Sequence, residues 1–466
     1  MLSDPETNIK ELDQSSSYKY LGVSENSGIN HNQMKEKIRK EYTRRTRLVL
    51  RSQLNSKNKI MAINSIAVPV ITYSFPIVNW KLSEIKRLDT KTRKLFTMHR
   101  AHHPKADVER LYLKRGKGGR GLLQLEMELK LSFIGMEKYL TKTTDWMLKC
   151  VKAHEENKKL YSITSQAKEY KNTINYQVTE SKNKDAAAQA KHEKTIAKQA
   201  ALDNLLECYK NKPLHGQFQK RVNEQDVDLM KSFSWLKSST LKAETEGFVL
   251  AAQDQSLKTK NYLKNIMKTG IDSKCRYCEK HTETIDHLIS GCSMLAANEY
   301  TIRHNKVAKY VHYKLCKHYK LATGDKWYEH ETPSVVSNDR VTILWDFPIQ
   351  TDKTIKANRP DIVIRDKIEQ KCWLLDVSIP SDRNTSLKIY EKISKYKDLE
   401  IEIEKSWKEK SKTVPIVIGA LGIINKSTEK YLKILPTEIR TEELQKITLL
   451  GTANILRKAL SMSVVF

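Results

Sequence analysis

Three cysteines and a histidine lie close together in the pattern Cys275-x2-Cys278-x8-His287-x4-Cys292. Zinc takes four ligands in a tetrahedron, and thiolate and imidazole groups suit it. Two cysteines separated by two residues can bind one ion from a tight turn, and the later histidine and cysteine can close the site. His281 is an alternative ligand, but it follows Cys278 too closely to close a good tetrahedron, so we prefer His287. Four protein ligands leave no open position, which indicates a structural zinc site.

The remaining cysteines stand alone in the sequence. The total of seven is odd, which argues against the disulfide scaffold of a small secreted protein. A cysteine without a neighbouring ligand is usually a buried thiol. We predict that role for four residues: Cys150, Cys208, Cys316 and Cys372.

The formal net charge of +28 predicts attraction to polyanions, of which nucleic acid is the commonest. An anionic membrane surface is the rival partner. However, the chain has no run of about 18 apolar residues, and its first residues lack a charged-then-apolar signal pattern. We therefore predict a soluble intracellular protein that binds nucleic acid and has no membrane partner.

The basic residues concentrate first in a helical pattern over about residues 32–56. This helix carries Lys35, Lys37, Arg39, Lys40, Arg44, Arg45, Arg47 and Arg51. Arg276 lies inside the cysteine pattern, and Arg303 lies shortly after it. We predict that all ten contact nucleic acid. For the adjoining His304 we favour a structural or phosphate-facing role over that of a zinc ligand.

A chain of 466 residues suggests two to four domains on a prior of roughly 100–200 residues each. Residues 1–31 form a polar lead-in, and 32–150 and 151–265 are predominantly helical patterns. Within them, about 155–200 is Lys-rich and Ala-rich and predicts an exposed helical arm. Residues 266–320 contain the zinc pattern. In 330–466, short β-branched runs alternate with helical stretches, so the whole chain is predicted to be multidomain α+β with a C-terminal α/β domain.

Two acids stand at neighbouring strand ends in the C-terminal domain. Asp361 begins the β-prone run 362–364, and Asp366-Lys367 forms a turn. The run 371–379 then returns with Asp376 in its second half. If the two strands form a hairpin, both carboxylates meet at one end of the sheet. They can then hold one or two Mg²⁺ ions that supply hydroxide for attack on a phosphate.

A lysine-rich helical pattern follows the second acid. Its apolar stripe is Ile389, Ile393, Tyr396, Leu399, Ile403 and Trp407. Lys388, Lys392 and Lys395 flank that stripe. A lysine held there can stabilise a pentavalent phosphate or orient the attacking water.

In their order along the chain, these residues resemble the restriction-like-endonuclease class of non-LTR retrotransposon reverse transcriptases. Besides the cysteine-histidine spacing, the similar segments are 18–22, 118–122, 214–218, 251–255, 344–346, 359–361, 376–378, 395–396 and 417–422. The resemblance implies a thumb-like region over 32–150, a CCHC zinc knuckle and a PD-(D/E)xK endonuclease fold. It implies target DNA and element RNA as partners, structural Zn²⁺, catalytic Mg²⁺ or Mn²⁺, and a nuclear location. The implied activity is target-site nicking for target-primed reverse transcription.

Two departures from the family pattern limit that expectation. The paired aspartates of the polymerase palm would precede residue 18, and no Asp-Asp pair occurs in the sequence, so this chain is not expected to polymerise by itself. Many restriction-type nucleases place a lysine where Ser378 stands here. In this family the lysine is displaced onto the next helix, and Lys392 or Lys395 would take its role. The alternatives are a truncated relic that binds nucleic acid without cutting and, more weakly, a basic structural adaptor.

Overall fold

The computed structural model describes residues 18–20, 22–25, 28–158, 162–177, 185–238 and 240–461. Most of the predicted lead-in over 1–31 and part of the predicted arm over 155–200 lie outside these residues. The chain divides into two compact units. The first contains residues up to 101, 111–113 and 121–207, and the second contains 102–110, 114–120 and 208 onwards.

Helices dominate the chain up to residue 211, as the 3.6-residue periodicity predicts. A two-stranded antiparallel hairpin, β1 (Tyr18–Tyr20) and β2 (Val23–Glu25), precedes them. The helices are α1 (His31–Arg51), α2 (Ser56–Ala62), α3 (Val68–Thr72), α4 (Leu82–Met98), α5 (Glu109–Tyr112), α6 (Leu125–Lys142), α7 (Trp146–Asn157), α8 (Ile163–Ile174) and α9 (Ala186–Asn211). In the first unit, α6, α8 and α9 bury a small core around Leu131, Tyr170 and Ala197.

The second unit contains helices on both sides of the zinc pattern and around one sheet. The helices before the sheet are α10 (Gln217–Val222), α11 (Leu229–Ser232), α12 (Ser234–Lys237), α13 (Ala243–Gln253), α14 (Lys260–Asn265), α15 (Ser293–Leu295) and α16 (Thr301–His318). Those within and after it are α17 (Thr385–Lys395), α18 (Lys397–Trp407), α19 (Lys426–Leu432) and α20 (Thr441–Ser461).

The five-stranded sheet of the second unit is mixed. Its strands lie in sequence order: β3 (Val335–Ser337), β4 (Val341–Trp345), β5 (Ile362–Asp366), β6 (Lys371–Ser378) and β7 (Lys410–Val417). Neighbours from β3 to β6 are antiparallel, whereas β7 is parallel to β6. The parallel connection contains α17 and α18, as a parallel pair needs a crossover. The predicted hairpin is therefore present between β5 and β6.

Both faces of the sheet are covered, which explains the continuous apolar runs of β5 and β6. On one face, Val307, Val311 and Leu315 of α16 pack with Ile364 and Leu375. On the other, three side chains of the predicted stripe pack with Val363 and Leu374: Tyr396, Leu399 and Ile403. We expected one continuous helix for this stripe, but the structure breaks it at Tyr396, whose backbone has φ −102° and ψ 9°.

The glycine-rich segment around Gly118 is a tight turn that packs closely within the second unit. Gly118 has φ +87°, and a Cβ there would lie 2.7 Å from Phe233 Cζ. Arg115 and Arg120 bind Glu246 on α13, and Arg110 binds Asp254 just after it. Arg115 is slightly exposed. The other four charged side chains of this network are almost completely buried: Arg110, Arg120, Glu246 and Asp254. This places the glycine-rich segment and the 251–255 segment, which are distant in sequence, in one polar network.

A close helix crossing depends on Gly451 in α20. A Cβ at this position would lie 2.5 Å from Arg303 Cγ on α16. Because Arg303 is itself buried, we expect Gly451→Ala to lower the free energy of unfolding by about 1–3 kcal/mol. The measurement is urea unfolding followed by circular dichroism.

A second helical glycine provides the control. At Gly135 in α6, a Cβ would meet nothing closer than Lys194 Cδ at 3.7 Å. Gly135→Ala should therefore leave stability unchanged or raise it by roughly 0.5–1 kcal/mol. Equal stability of Gly451→Ala and the parent protein would contradict the overpacking argument.

Candidate functional site

The predicted zinc ligands converge in the second unit. Their four donor atoms all lie within 4.8 Å of one another. Cys275 Sγ lies 3.9 Å from Cys292 Sγ, and Cys278 Sγ lies 3.4 Å from His287 Nε2. Zinc–ligand bond lengths require edges of about 3.8 Å between two sulfurs and about 3.5 Å between sulfur and nitrogen in a tetrahedron. The four side chains therefore fit one zinc ion, with His287 and not His281 as the nitrogen ligand.

Local backbone structure builds this site. Cys275 donates its amide to the His281 carbonyl at 2.8 Å, which closes the turn between the first two cysteines. His287 begins a π-helical turn, and its amide donates to Thr284 Oγ1. Cys292 donates its amide to the Tyr300 hydroxyl. The site is thus held by backbone hydrogen bonds from both ends.

The protonation of the ligands depends on burial. Burial raises the pKa of the Cys275 thiol to about 11. Burial also opposes ionisation of Cys278, but the backbone amides of His281 and Lys280 lower its pKa below the usual range. Burial lowers the pKa of His287, so the ring is neutral at pH 7 and has a nitrogen available for a metal. A bound cation would complete the deprotonation of Cys275.

Arg276 is paired within the protein, so its predicted contact with nucleic acid stays a prediction that these contacts do not favour. Its guanidinium binds both carboxylate oxygens of the fully buried Glu283, at 2.8 and 2.7 Å. It also donates to the Ala459 carbonyl of α20. The charge is neutralised within the protein, and Arg276 attaches the cysteine turn to the last helix.

Arg303 is likewise engaged within the protein, and its predicted contact with nucleic acid stays a prediction that these contacts do not favour. Its side chain is buried on α16 and donates to Thr452 Oγ1 at 2.9 Å and to the Ile379 carbonyl at 3.3 Å. Burial lowers its pKa to about 10. The sequence pattern could not distinguish this arginine from an exposed one.

The two acids predicted to form a pair are directly opposite each other. Ile362 of β5 pairs with Leu375 of β6. Asp361, just before β5, and Asp376 of β6 are the next residues towards the same end of the hairpin, so in this register they come opposite each other. Asp376 contacts Tyr396 on the face that α17 and α18 cover, whereas Asp361 contacts His304 of α16.

Asp361 is held by a residue that sequence reasoning had not placed in this site. Its Oδ2 accepts the Val377 amide at 2.6 Å and lies 2.9 Å from His304 Nε2. Burial of the ring opposes its charge, but the hydrogen bond to Asp361 raises the pKa of His304 to about 9. His304 is therefore a cation at neutral pH. Asp361 Oδ1 takes part in none of these contacts and is available to another ligand.

Asp376 is surrounded by groups from the lysine-rich helix. Lys392 Nζ lies 2.7 Å from Oδ1, and Lys395 Nζ lies 3.6 Å from Oδ2. The Tyr396 hydroxyl donates to Oδ2 at 2.6 Å. Lys388 instead pairs with Glu391 on its own helix at 2.6 Å. Of the three flanking lysines, the structure thus brings Lys392 and Lys395 to the acid and leaves Lys388 on the surface.

Two residues of this site, Tyr396 and His304, were not predicted from the sequence, and the reasons differ. Tyr396 was predicted only as part of the apolar stripe. The sequence does not show that its hydroxyl would reach Asp376. His304 is 57 residues from Asp361 in sequence, so only the packing of α16 on the sheet reveals their contact. Two opposed carboxylates, with one free oxygen on Asp361, are hard ligands of the kind that Mg²⁺ takes. Asp361 and Asp376 are the residues that could hold such an ion.

The eight basic residues of α1 divide into two groups. Lys35 and Arg39 bind Glu84 at 2.8 and 2.7 Å, and Arg45 binds Glu41. The other five are exposed and recur every three or four residues, which places them on one side of the helix. We call them the α1 stripe: Lys37, Lys40, Arg44, Arg47 and Arg51. Lys40 and Arg44 also pair with acids of the same helix, Glu36 and Glu41.

The isolated cysteines do not all behave as predicted. Cys316 and Cys372 are buried, as expected for apolar thiols, whereas Cys150 and Cys208 are exposed. Across the described residues, no helix is both long enough and apolar enough to span a bilayer.

Comparison with known families gives one finding. Residues 214–298 match the family model described as zinc-binding in reverse transcriptase. The match contains all four converging ligands and supports a reverse-transcriptase-derived zinc-binding region. No curated protein matches the chain.

Proposed function

We propose that the chain is a metal-dependent DNA endonuclease from a non-LTR retrotransposon reverse transcriptase of the restriction-like-endonuclease class. It would nick target DNA in the nucleus and supply the 3′-hydroxyl for target-primed reverse transcription. The observation that carries the proposal is the opposition of Asp361 and Asp376, with Lys392 2.7 Å from Asp376. The reverse-transcriptase zinc-binding match in the same unit supports the parentage.

Each residue of the site would have a distinct task. Bound Mg²⁺ or Mn²⁺ would supply a deprotonated water and polarise the phosphate. Asp361 and Asp376 would hold it, and the charged His304 fixes Asp361 through Oδ2 so that Oδ1 remains available. Lys392 would stabilise the negative charge that develops on the phosphate. Tyr396 fixes the Asp376 carboxylate through its short hydrogen bond.

The test is nicking of supercoiled plasmid by the purified full chain. We expect open circles to accumulate with Mg²⁺ or Mn²⁺ and not with a chelator, and the chain to bind DNA in both cases. Binding without nicking under any divalent cation would replace the proposal with the non-cutting relic.

Lys392→Ala should lower the nicking rate by at least about 10²-fold while leaving DNA binding nearly unchanged. The reason is that a contact formed mainly in the transition state contributes to rate and little to binding. Lys395→Ala should have a smaller effect, because its ammonium lies 3.6 Å from Asp376 rather than 2.7 Å. Single-turnover nicking rates and a binding titration give the two quantities.

Lys388→Ala is the matched control. This lysine is on the same helix but pairs with Glu391, so its loss should change the rate only slightly. If Lys392→Ala weakens binding and cleavage equally, the residue is a phosphate clamp. If Lys388→Ala is as slow as Lys392→Ala, the whole helix acts through charge alone and the assignment is wrong.

The α1 stripe should contribute to salt-dependent binding of duplex DNA. Each neutralised phosphate adds about 0.9 to the slope of log affinity against log salt concentration. Replacing the five stripe residues with glutamine should therefore reduce that slope by up to about 4.5. Affinity measured by fluorescence anisotropy at a series of salt concentrations gives the slope.

The control changes the same net charge elsewhere. Five exposed lysines of the second unit serve for it: Lys405, Lys408, Lys410, Lys412 and Lys433. Their replacement should alter the slope much less than loss of the stripe. Equal changes in the two variants would show that only net charge matters and that the stripe is a solvated helix face.

A further inference from the structure

A second cluster of metal-ligating side chains lies on the face of the sheet that α16 covers, opposite to the face covered by α17 and α18. His312 and Cys316 are one turn apart on α16 and therefore project from the same side of the helix. His330 joins them from the connection between α16 and β3. All three residues are at most 2% exposed. Two imidazoles and a thiol thus converge inside the protein, away from the CCHC ligands and from Asp361.

The distances within this cluster are close to those of a metal site. Cys316 Sγ lies 3.5 Å from His312 Nδ1, and His312 Nδ1 lies 2.8 Å from His330 Nε2. Zinc bond lengths require about 3.5 Å for the first edge and about 3.3 Å for the second. The sulfur–nitrogen edge also equals, within 0.1 Å, the 3.4 Å between Cys278 and His287. The two rings would have to separate by about half an ångström to take up the ion, and all three ligand atoms already lie within 4.8 Å of one another.

The surroundings favour a borderline-soft ion over a hard one. The cluster is packed against aromatic rings, with Trp345 5.6 Å from the His312 ring and Tyr313 5.6 Å from the His330 ring. Imidazole and thiolate select zinc and similar transition metals, whereas Mg²⁺ and Ca²⁺ require oxygen ligands. Imidazole rings buried among apolar groups stay neutral, which leaves a ring nitrogen free to bind.

From this geometry we infer that His312, Cys316 and His330 form a second transition-metal site, which binds Zn²⁺. The ion would cross-link α16 to the segment that leads into β3. That helix also carries His304, the partner of Asp361. The site would therefore fix the position of α16, whose His304 contacts Asp361, without itself touching substrate.

The alternative is a metal-free pair in which one histidine donates an N–H to the other across the 2.8 Å contact. A neutral histidine has one donor and one acceptor nitrogen, so this bond satisfies both rings at the contact. The two states differ in metal content and in the role of Cys316. A hydrogen-bonded pair does not need the thiol, whereas a metal site does.

The experiment is elemental analysis of the full chain after dialysis against metal-free buffer. We expect close to two zinc ions per chain, one in each site, and close to one after Cys316→Ser or His330→Asn. Two controls should keep both ions: His318→Asn, an exposed histidine of the same helix, and Cys208→Ser, an exposed thiol.

Cobalt substitution gives a second measurement that does not require a variant to fold. The unsubstituted chain should bind two cobalt ions with visible absorption bands of tetrahedral coordination, and a water molecule would be the fourth ligand beside His312, Cys316 and His330. One metal ion per chain, retained in Cys316→Ser and lost in Cys278→Ser, would overturn the proposal and leave a hydrogen-bonded histidine pair. Two cobalt ions with tetrahedral bands in the unsubstituted chain support it even if the Cys316 variant is insoluble, because the oxygen ligands of Asp361 and Asp376 do not form such a site.

Discussion

Replacing Asp361 or Asp376 with asparagine should reduce metal-dependent nicking below the limit of detection, while duplex DNA is still bound. Asparagine keeps the size of the side chain but removes the negative charge that a divalent cation needs. The two acids lie at the same end of the hairpin but are held by different partners, His304 for Asp361 and Tyr396 for Asp376, so neither can replace the other. Plasmid nicking at saturating Mg²⁺ and a binding titration on the same preparations measure the effect.

The controls for this experiment separate chemistry from folding. Asp376 is buried and paired with Lys392, so its asparagine variant leaves a lysine without its counterion. Thermal unfolding of each variant should therefore be recorded beside the rate. Asp352→Asn, an exposed acid in the loop before Asp361, should nick at the parent rate. A double variant of Asp361 and Asp376 that cuts as fast as the parent would refute the endonuclease proposal.

Cys275→Ser should remove one zinc ion per chain and unfold much of the second unit. Structural zinc contributes about 10–16 kcal/mol to the folding of isolated zinc-finger peptides, which is comparable to the whole stability of a typical domain. Here the CCHC region is not an isolated module. Cys275, Leu288 and Ile289 pack in one core with Leu421 after β7 and Ile455 of α20. Loss of the ion should therefore also destabilise the sheet that carries the acidic pair.

Metal analysis, circular dichroism and a nicking assay together test this expectation. Cys208→Ser is the matched control, because that thiol is exposed and lies outside the CCHC cluster. A Cys275→Ser protein that lacks this zinc ion yet remains folded and retains its DNA affinity would contradict the structural role of the zinc.

The C-terminal strands could be predicted because local signals were strong there. The β-branched runs at 341–344 and 362–364 are strands, and the turn at Asp366 joins β5 to β6 as expected. The zinc ligands could also be predicted, since their spacing reflects the chemistry of one ion. In both cases the information lies within about 20 residues of sequence.

The contacts that could not be predicted depend on packing between distant segments. Arg276 and Arg303 appeared to be exposed cations, yet one binds the buried Glu283 and the other crosses to α20 at Gly451. The basic pattern of α1 likewise gave no indication that Lys35 and Arg39 would bind Glu84 on α4. Charge counts predict the polarity of a segment, but only tertiary structure decides which charges remain available to a ligand.

The opposition of Asp361 and Asp376 has a consequence for how this chain can change during evolution. Side chains alternate between the two faces of a strand, so one residue added between β5 and β6 would turn Asp376 towards the apolar core under α16. The residues at 367–370 can vary in identity, because their side chains are mostly exposed. The number of residues in this turn cannot vary, because a change would reverse the direction of every side chain that follows in β6. Relatives that retain cleavage should therefore differ freely in the composition of this turn and hardly at all in its length.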